Sequence, residues 1–108
     1  RAAQHDIWQD LRSLTYFGIC DCDRLLSRFD EAIASCQQAL AYDRQDPHVH
    51  YALGWTYARK AEVTGSLEPL LAARQHFRTM LEINEEMEEA GSARRYISRI
   101  DAYLQSAR

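Results

Sequence analysis

The sequence predicts an all-α fold of about five helices, arranged as antiparallel hairpins that stack against one another. Two observations carry that expectation. Apolar residues recur at helical spacing in successive segments that are separated by short polar breaks. Within the middle of the chain, small residues at Ala32, Ala39 and Gly54 alternate with the larger Phe29, Ile33, Leu40, Leu53 and Tyr57. That alternation lets helix backbones approach closely while side chains fill the remaining space.

Taken in order, a first long helix is expected to run from near Ala3 to Leu26, with Ile7, Leu11, Leu14, Phe17 or Gly18, and Leu25 recurring near the helical period. Ser27 and Arg28 form a tight turn. Phe29 to Tyr42 is the second helix, with Phe29, Ala32, Ile33, Cys36, Ala39 and Leu40 on one stripe. Asp43 to Asp46 is a loop. The third helix starts at Pro47, because Asp46 caps the free amides and proline has no amide to waste in the first turn; it is expected to end near Lys60. Thr64-Gly65-Ser66 reads as the next loop, and Pro69 fits the first turn of a fourth helix that runs to about Ile83. Gly91-Ser92 marks a break or cap after the acidic stretch from Glu85 to Glu89, itself a solvated start that suits the positive end of a helix dipole. A last amphipathic helix carries Ala93, Tyr96, Ile97, Ile100, Tyr103 and Leu104 on one stripe, with Arg94, Arg95, Arg99 and Asp101 opposite.

The third helix also carries a signature. His50-x-x-Leu53-Gly54-x-x-Tyr57, followed by Ala73-x-x-x-Phe77, resembles the tetratricopeptide repeat, with histidine where tryptophan is usual. Phe29 to Ile33 with Ala39-Leu40 resembles the second helix of a preceding repeat, and a period of about 34 residues joins Ser13 to Pro47. The resemblance implies a single domain over 1–108, stacked as a right-handed superhelix. Repeat one would cover about 13–46, extended at its N-terminus, repeat two about 47–87, and a closing helix about 88–107. One departure stands out. Cys20 to Ala32 spans 12 residues and Gly54 to Ala73 spans 19, so repeat two carries seven additional residues around 61–66, about two helical turns.

Composition excludes several classes of function. The chain has 108 residues, 46% hydrophobic and 27% charged, enough to bury roughly two-thirds of its unfolded surface as one domain. Lys and Arg number 13 against 16 Asp and Glu, a net charge of -3 that gives nucleic acid no electrostatic footprint. No apolar run is long enough for a membrane span, and no leader is visible. The first residue is Arg1 rather than methionine, which points to an excised segment of a longer chain. An odd count of three cysteines without a leader favours a reducing, cytoplasmic compartment over a disulfide framework. Cys20 and Cys36 are expected as buried structural thiols on facing helices. Cys20-x-Cys22 and His48-x-His50 place their side chains about 200° apart on a helix, so they do not converge on one metal ion. No phosphate loop, nucleophile elbow or isolated carboxylate pair is present, and neither an enzymatic activity nor a cofactor is expected.

What the resemblance implies is a protein–protein interaction module that binds a peptide or helix of a partner in a concave groove lined by the first helix of each hairpin. The groove positions are then Leu14, Phe17, Asp21 and Arg24, with His48, Tyr51, Trp55 and Arg59. The last four share one helix face by spacing alone. Members of the family that hold the carboxylate tail of heat-shock chaperones use lysine and asparagine in this groove. Phe17, Asp21 and Ala52 stand at such places here, and Asp21 repels a carboxylate. The alternative role is oligomerisation within a larger enzyme or sensor, a homodimer formed through the apolar stripe of the C-terminal helix.

Overall fold

The computed structural model describes residues 7–106, and all the regular structure among them is helical: α1 (Ile7–Leu25), α2 (Phe29–Tyr42), α3 (Pro47–Thr64), α4 (Glu68–Ile83) and α5 (Ala90–Ser106). The expected start of α1 near Ala3 lies outside the described residues. α1 passes through Ser13 without a break, so one continuous helix leads into the first hairpin. α1 pairs with α2 and α3 with α4, α2 stacks on α3, and α5 lies along α4.

The ends of these helices follow from local chemistry. α1 stops at Ser27, whose φ of 61° lies in the left-handed region. The Ser27 amide donates to the Arg24 carbonyl (3.1 Å) and the Arg28 amide to that of Asp23 (2.8 Å), the bond pair of a Schellman turn. Asp46 caps α3 by accepting from the His48 amide at 2.9 Å, with Pro47 in the first turn. α2 and α4 finish alike. Asp43 and Asn84 are both extended, their amides donate to Ala39 and Met80, and their side chains accept from the amides of Gln45 and Glu86. These two ends lie one repeat period plus seven residues apart, which accounts for the longer second hairpin.

The expected end of α3 near Lys60 is corrected, while Gly65 and Ser66 of the expected loop do lie between the helices. α3 continues through Ala61 to Thr64 and stops only at Gly65, which takes φ 73° and donates its amide to the Ala61 carbonyl at 2.7 Å. Gly91 and Ser92 are likewise no break, since α5 begins at Ala90.

The core comes in two parts. The first holds Cys20, Ala32, Ile33, Cys36, Ala39, Val49, Ala52 and Leu53; the second is built around Ala73, Phe77, Met80, Ala93 and Ile100. Tyr57 packs against both. The α5 residues Tyr96, Ile97 and Leu104 turn onto the second part, and Arg74 donates to Asp101 at 2.7 Å to tie α4 to α5. Tyr103 stays 52% exposed instead of joining that stripe.

Two expectations about α1 and its thiols are corrected. The stripe of Ile7, Leu11, Leu14 and Leu25 is exposed, and the buried positions of α1 are Ser13 and Cys20, with Tyr16 and Phe17 beside them. Small buried residues leave no mark on a hydrophobic pattern. Ser13 is satisfied by donating its hydroxyl to the Ala39 carbonyl at 3.0 Å. Cys20 and Cys36 are not free thiols. They form a disulfide across α1 and α2, with their Cα atoms 5.3 Å apart, and Cys22 is the free, exposed cysteine. Counting three cysteines as one set hid a bonded pair plus one, and with the pair joined the count no longer argues for a reducing compartment.

In the second hairpin the equivalent position is Gly54. A Cβ built there lies 2.7–2.8 Å from the Phe77 ring, so α3 and α4 meet through glycine. Nearby, His50 Nε2 donates to the Arg44 carbonyl at 3.2 Å. Neutral His50 therefore presents Nδ1 as an acceptor, and His76 Nδ1 donates to it across 3.1 Å. Tyr57 stacks on the His76 ring with centroids 5.7 Å apart. Burial, and secondarily the nearby His50, holds His76 down to about 4.

Three stability measurements follow from these contacts. Gly54→Ala gains at most about 1 kcal/mol of helix propensity but overpacks Phe77 at a cost of roughly 1–3 kcal/mol, so denaturant titration should show net destabilisation. Ser27→Gly relieves a left-handed residue and should raise the denaturation midpoint by up to about 1 kcal/mol of stability, with unchanged m-value. Because His76 takes a proton near pH 6.5 when unfolded but only near 4 when folded, its neutral form supports folding above 6.5, and that support is lost as pH falls from 6.5 towards 4. The melting temperature should fall across that window, and less steeply in His76→Gln.

Candidate functional site

The proposed groove residues divide into a joined set and outliers. Asp21 and Arg24 sit one turn apart on α1 and form an ion pair at 2.6 Å. The Arg24 guanidinium lies over the Trp55 ring of α3, 4.9 Å from its centroid, and Arg59, one turn further along α3, approaches the same ring at 5.8 Å. Arg59 also pairs with Glu62. Asp21, Arg24, Trp55 and Arg59 thus form one continuous surface across the α1–α3 seam. Trp55 is only half-buried, and cations over its face are held by the negative potential of the ring.

The other four are placed differently, and Leu14 is no groove residue, since it is exposed on the outward face of α1. Phe17 packs against the first core cluster. Tyr51 meets Phe77 edge-on, with centroids 5.8 Å apart, so its ring is partly committed to the second cluster. His48 is exposed in the first turn of α3 and its Nδ1 lies 3.4 Å from the capping carboxylate of Asp46.

A groove of about 640 Å³ continues this surface between the C-terminal half of α3, the α3–α4 turn and α5. Arg59 and Glu62 line one wall and Tyr96, Arg99 and Tyr103 the other. Sequence reasoning placed Arg99 on the polar back of the closing helix and missed this wall. The spacing of Tyr96, Arg99 and Tyr103 by three and four residues was the available signal, since it puts all three on one helical face. Among the described residues Arg99 has no ionic or hydrogen-bond partner, whereas Arg24 and Arg59 each hold a carboxylate. No group of three His, Cys, Asp or Glu side chains among the described residues is placed to hold a metal ion, and no helix among them is long and apolar enough to cross a membrane.

Comparison with known proteins gives one finding. The family model described as TPR repeat matches residues 23–60. No curated protein and no solved structure matches the chain. The matched stretch starts in the last turn of α1, includes all of α2 and runs along most of α3. It therefore covers the junction at which one hairpin stacks on the next. The likeness seen on α3 and the stacking of two similar hairpins agree with it, and residues 23–60 are similar to a tetratricopeptide repeat.

Proposed function

We propose that this chain binds a protein partner, and that it holds an extended peptide or helix of that partner along the groove formed by α1, α3 and α5. Repeats of this family generally mediate protein–protein interaction and are typically not catalytic. The observation that carries the finer reading is Trp55. It lies at the seam of two hairpins between two guanidinium groups, and its ring is not absorbed by either core cluster. Flat aromatic surface beside arginine provides large contact area at low ordering cost.

Charge then sets orientation. Asp21 and Glu62 already neutralise Arg24 and Arg59, so the α1–α3 half of the groove reads shape and aromatic area. Arg99 is uncompensated at the far end and suits an acidic side chain of the partner. The proposed path thus runs from an apolar contact over Trp55 to a carboxylate at Arg99.

Selection of a random peptide library on the immobilised chain tests this. Enriched peptides should lose at least about tenfold in affinity for Trp55→Ala, and those with an acidic residue should lose a similar factor for Arg99→Ala, while helical circular dichroism stays at the wild-type level. Peptides that bind both variants as tightly as wild type would place recognition elsewhere.

A further inference from the structure

We propose that the outward face of α1 is a self-association surface, which docks against the same face of a second copy of this chain. The proposal is independent of the groove. At about 100° per residue, Ile7, Leu11, Leu14, Thr15, Gly18, Ile19, Cys22 and Leu25 occupy an arc of roughly 140° that runs the described length of α1. No Asp, Glu, Lys or Arg lies on it. Asp10 and Asp21 border one edge, and Arg12 and Asp23 the other, so the arc has the apolar centre and charged rim of an interface. Thr15 returns its hydroxyl to the Leu11 carbonyl at 2.8 Å and offers the surface no unsatisfied donor.

This face is open. Ile7 is 59% exposed, Leu14 65% and Leu25 68%, and Leu11 and Ile19 are each 44% exposed. With Leu26 beyond the helix end, these side chains leave on the order of 700 Å² of apolar surface uncovered. That exceeds the roughly 300–600 Å² of a typical monomer's largest patch. It approaches the roughly 800 Å² per partner that a specific interface buries.

The occupant follows from charge and spacing. An uncharged arc gives a charged partner nothing to pair with and desolvates whatever charge it brings. The arc is also complementary to itself. Centred near residue 16, an antiparallel pair of α1 helices sets Ile7 opposite Leu25 of the second copy, Leu11 near Cys22, and Leu14 opposite Gly18. Nothing lies within 4 Å of where a Gly18 Cβ would stand, so each Leu14 has a notch to enter on the other helix. A two-fold interface needs this correspondence, in which residue i meets j and j meets i. By contrast, Ile97, Ile100 and Leu104 of α5 are already turned onto the second core cluster.

Sedimentation equilibrium of the purified chain over a wide concentration range tests the proposal. Wild type should show a reversible monomer–dimer equilibrium. Leu14→Glu and Leu25→Glu, both at exposed positions, should each raise the dissociation constant at least about tenfold with unchanged helical circular dichroism, and Tyr103→Glu on α5 should leave it unaltered. Mild oxidation should link Leu11→Cys into a covalent dimer through Cys22 of the second copy, since those two positions lie about 16 Å apart along one α1 and do not meet within a molecule. A wild-type chain that stays monomeric, or a dimer that survives both glutamates and dissociates only with Tyr103→Glu, overturns the proposal.

Discussion

The structure depends on how closely two helices approach within each hairpin. In the first hairpin Cys20 and Cys36 meet, and in the second Gly54 and Phe77 meet at the same level of the repeat. One hairpin fills the gap with two bonded sulfurs, and the other with an aromatic ring set directly on a glycine. Both solutions put a very small group on the first helix, because anything larger at Gly54 runs into Phe77. The rest of each layer is then set by that spacing: Ala32, Ala39 and Ala73 lie fully buried where backbones pass at short range, and the larger side chains collect around them.

The two hairpins are joined as much as they are stacked. Tyr57 packs against both core clusters and stacks on His76, whose proton bridges to His50, which in turn donates to a carbonyl of the α2–α3 loop. Lys60 of α3 adds an ion pair at 2.6 Å to Asp30 of α2. In repeat proteins each unit is stabilised chiefly by its nearest neighbour. Here that neighbour term runs through a partly buried polar chain as well as apolar contact.

Much of this was legible in the sequence, and the failures have physical reasons. Asp46-Pro47 set the start of α3, and the stripes of α2 and, Tyr103 apart, of α5 named the faces they bury, because capping chemistry and helical periodicity are local. The Ser27–Arg28 turn and the shift of seven residues were likewise readable. The inward face of α1 was not, because it is built on Ser13 and Cys20 while larger apolar residues point outward. The end of α3 was placed about four residues early, near Lys60, yet the helix continues until the stop signal at Gly65. Within the candidate groove, spacing identified the shared face of Tyr51, Trp55 and Arg59. It did not show that Tyr51 leans on Phe77, nor that Arg24 reaches across from α1 to cover Trp55, since both depend on the angle between helices.

The covalent link in the first hairpin also has a mechanical consequence. A chain drawn out from its two ends yields helix by helix, but the stretch between the two sulfurs, 16 residues apart in sequence, stays folded back as a closed ring. It withholds roughly 55 Å of contour length from the extended polymer. Tension applied through neighbouring segments therefore bypasses the end of α1, the turn after it and the first half of α2, and the force is carried across the sulfurs from one helix to the other.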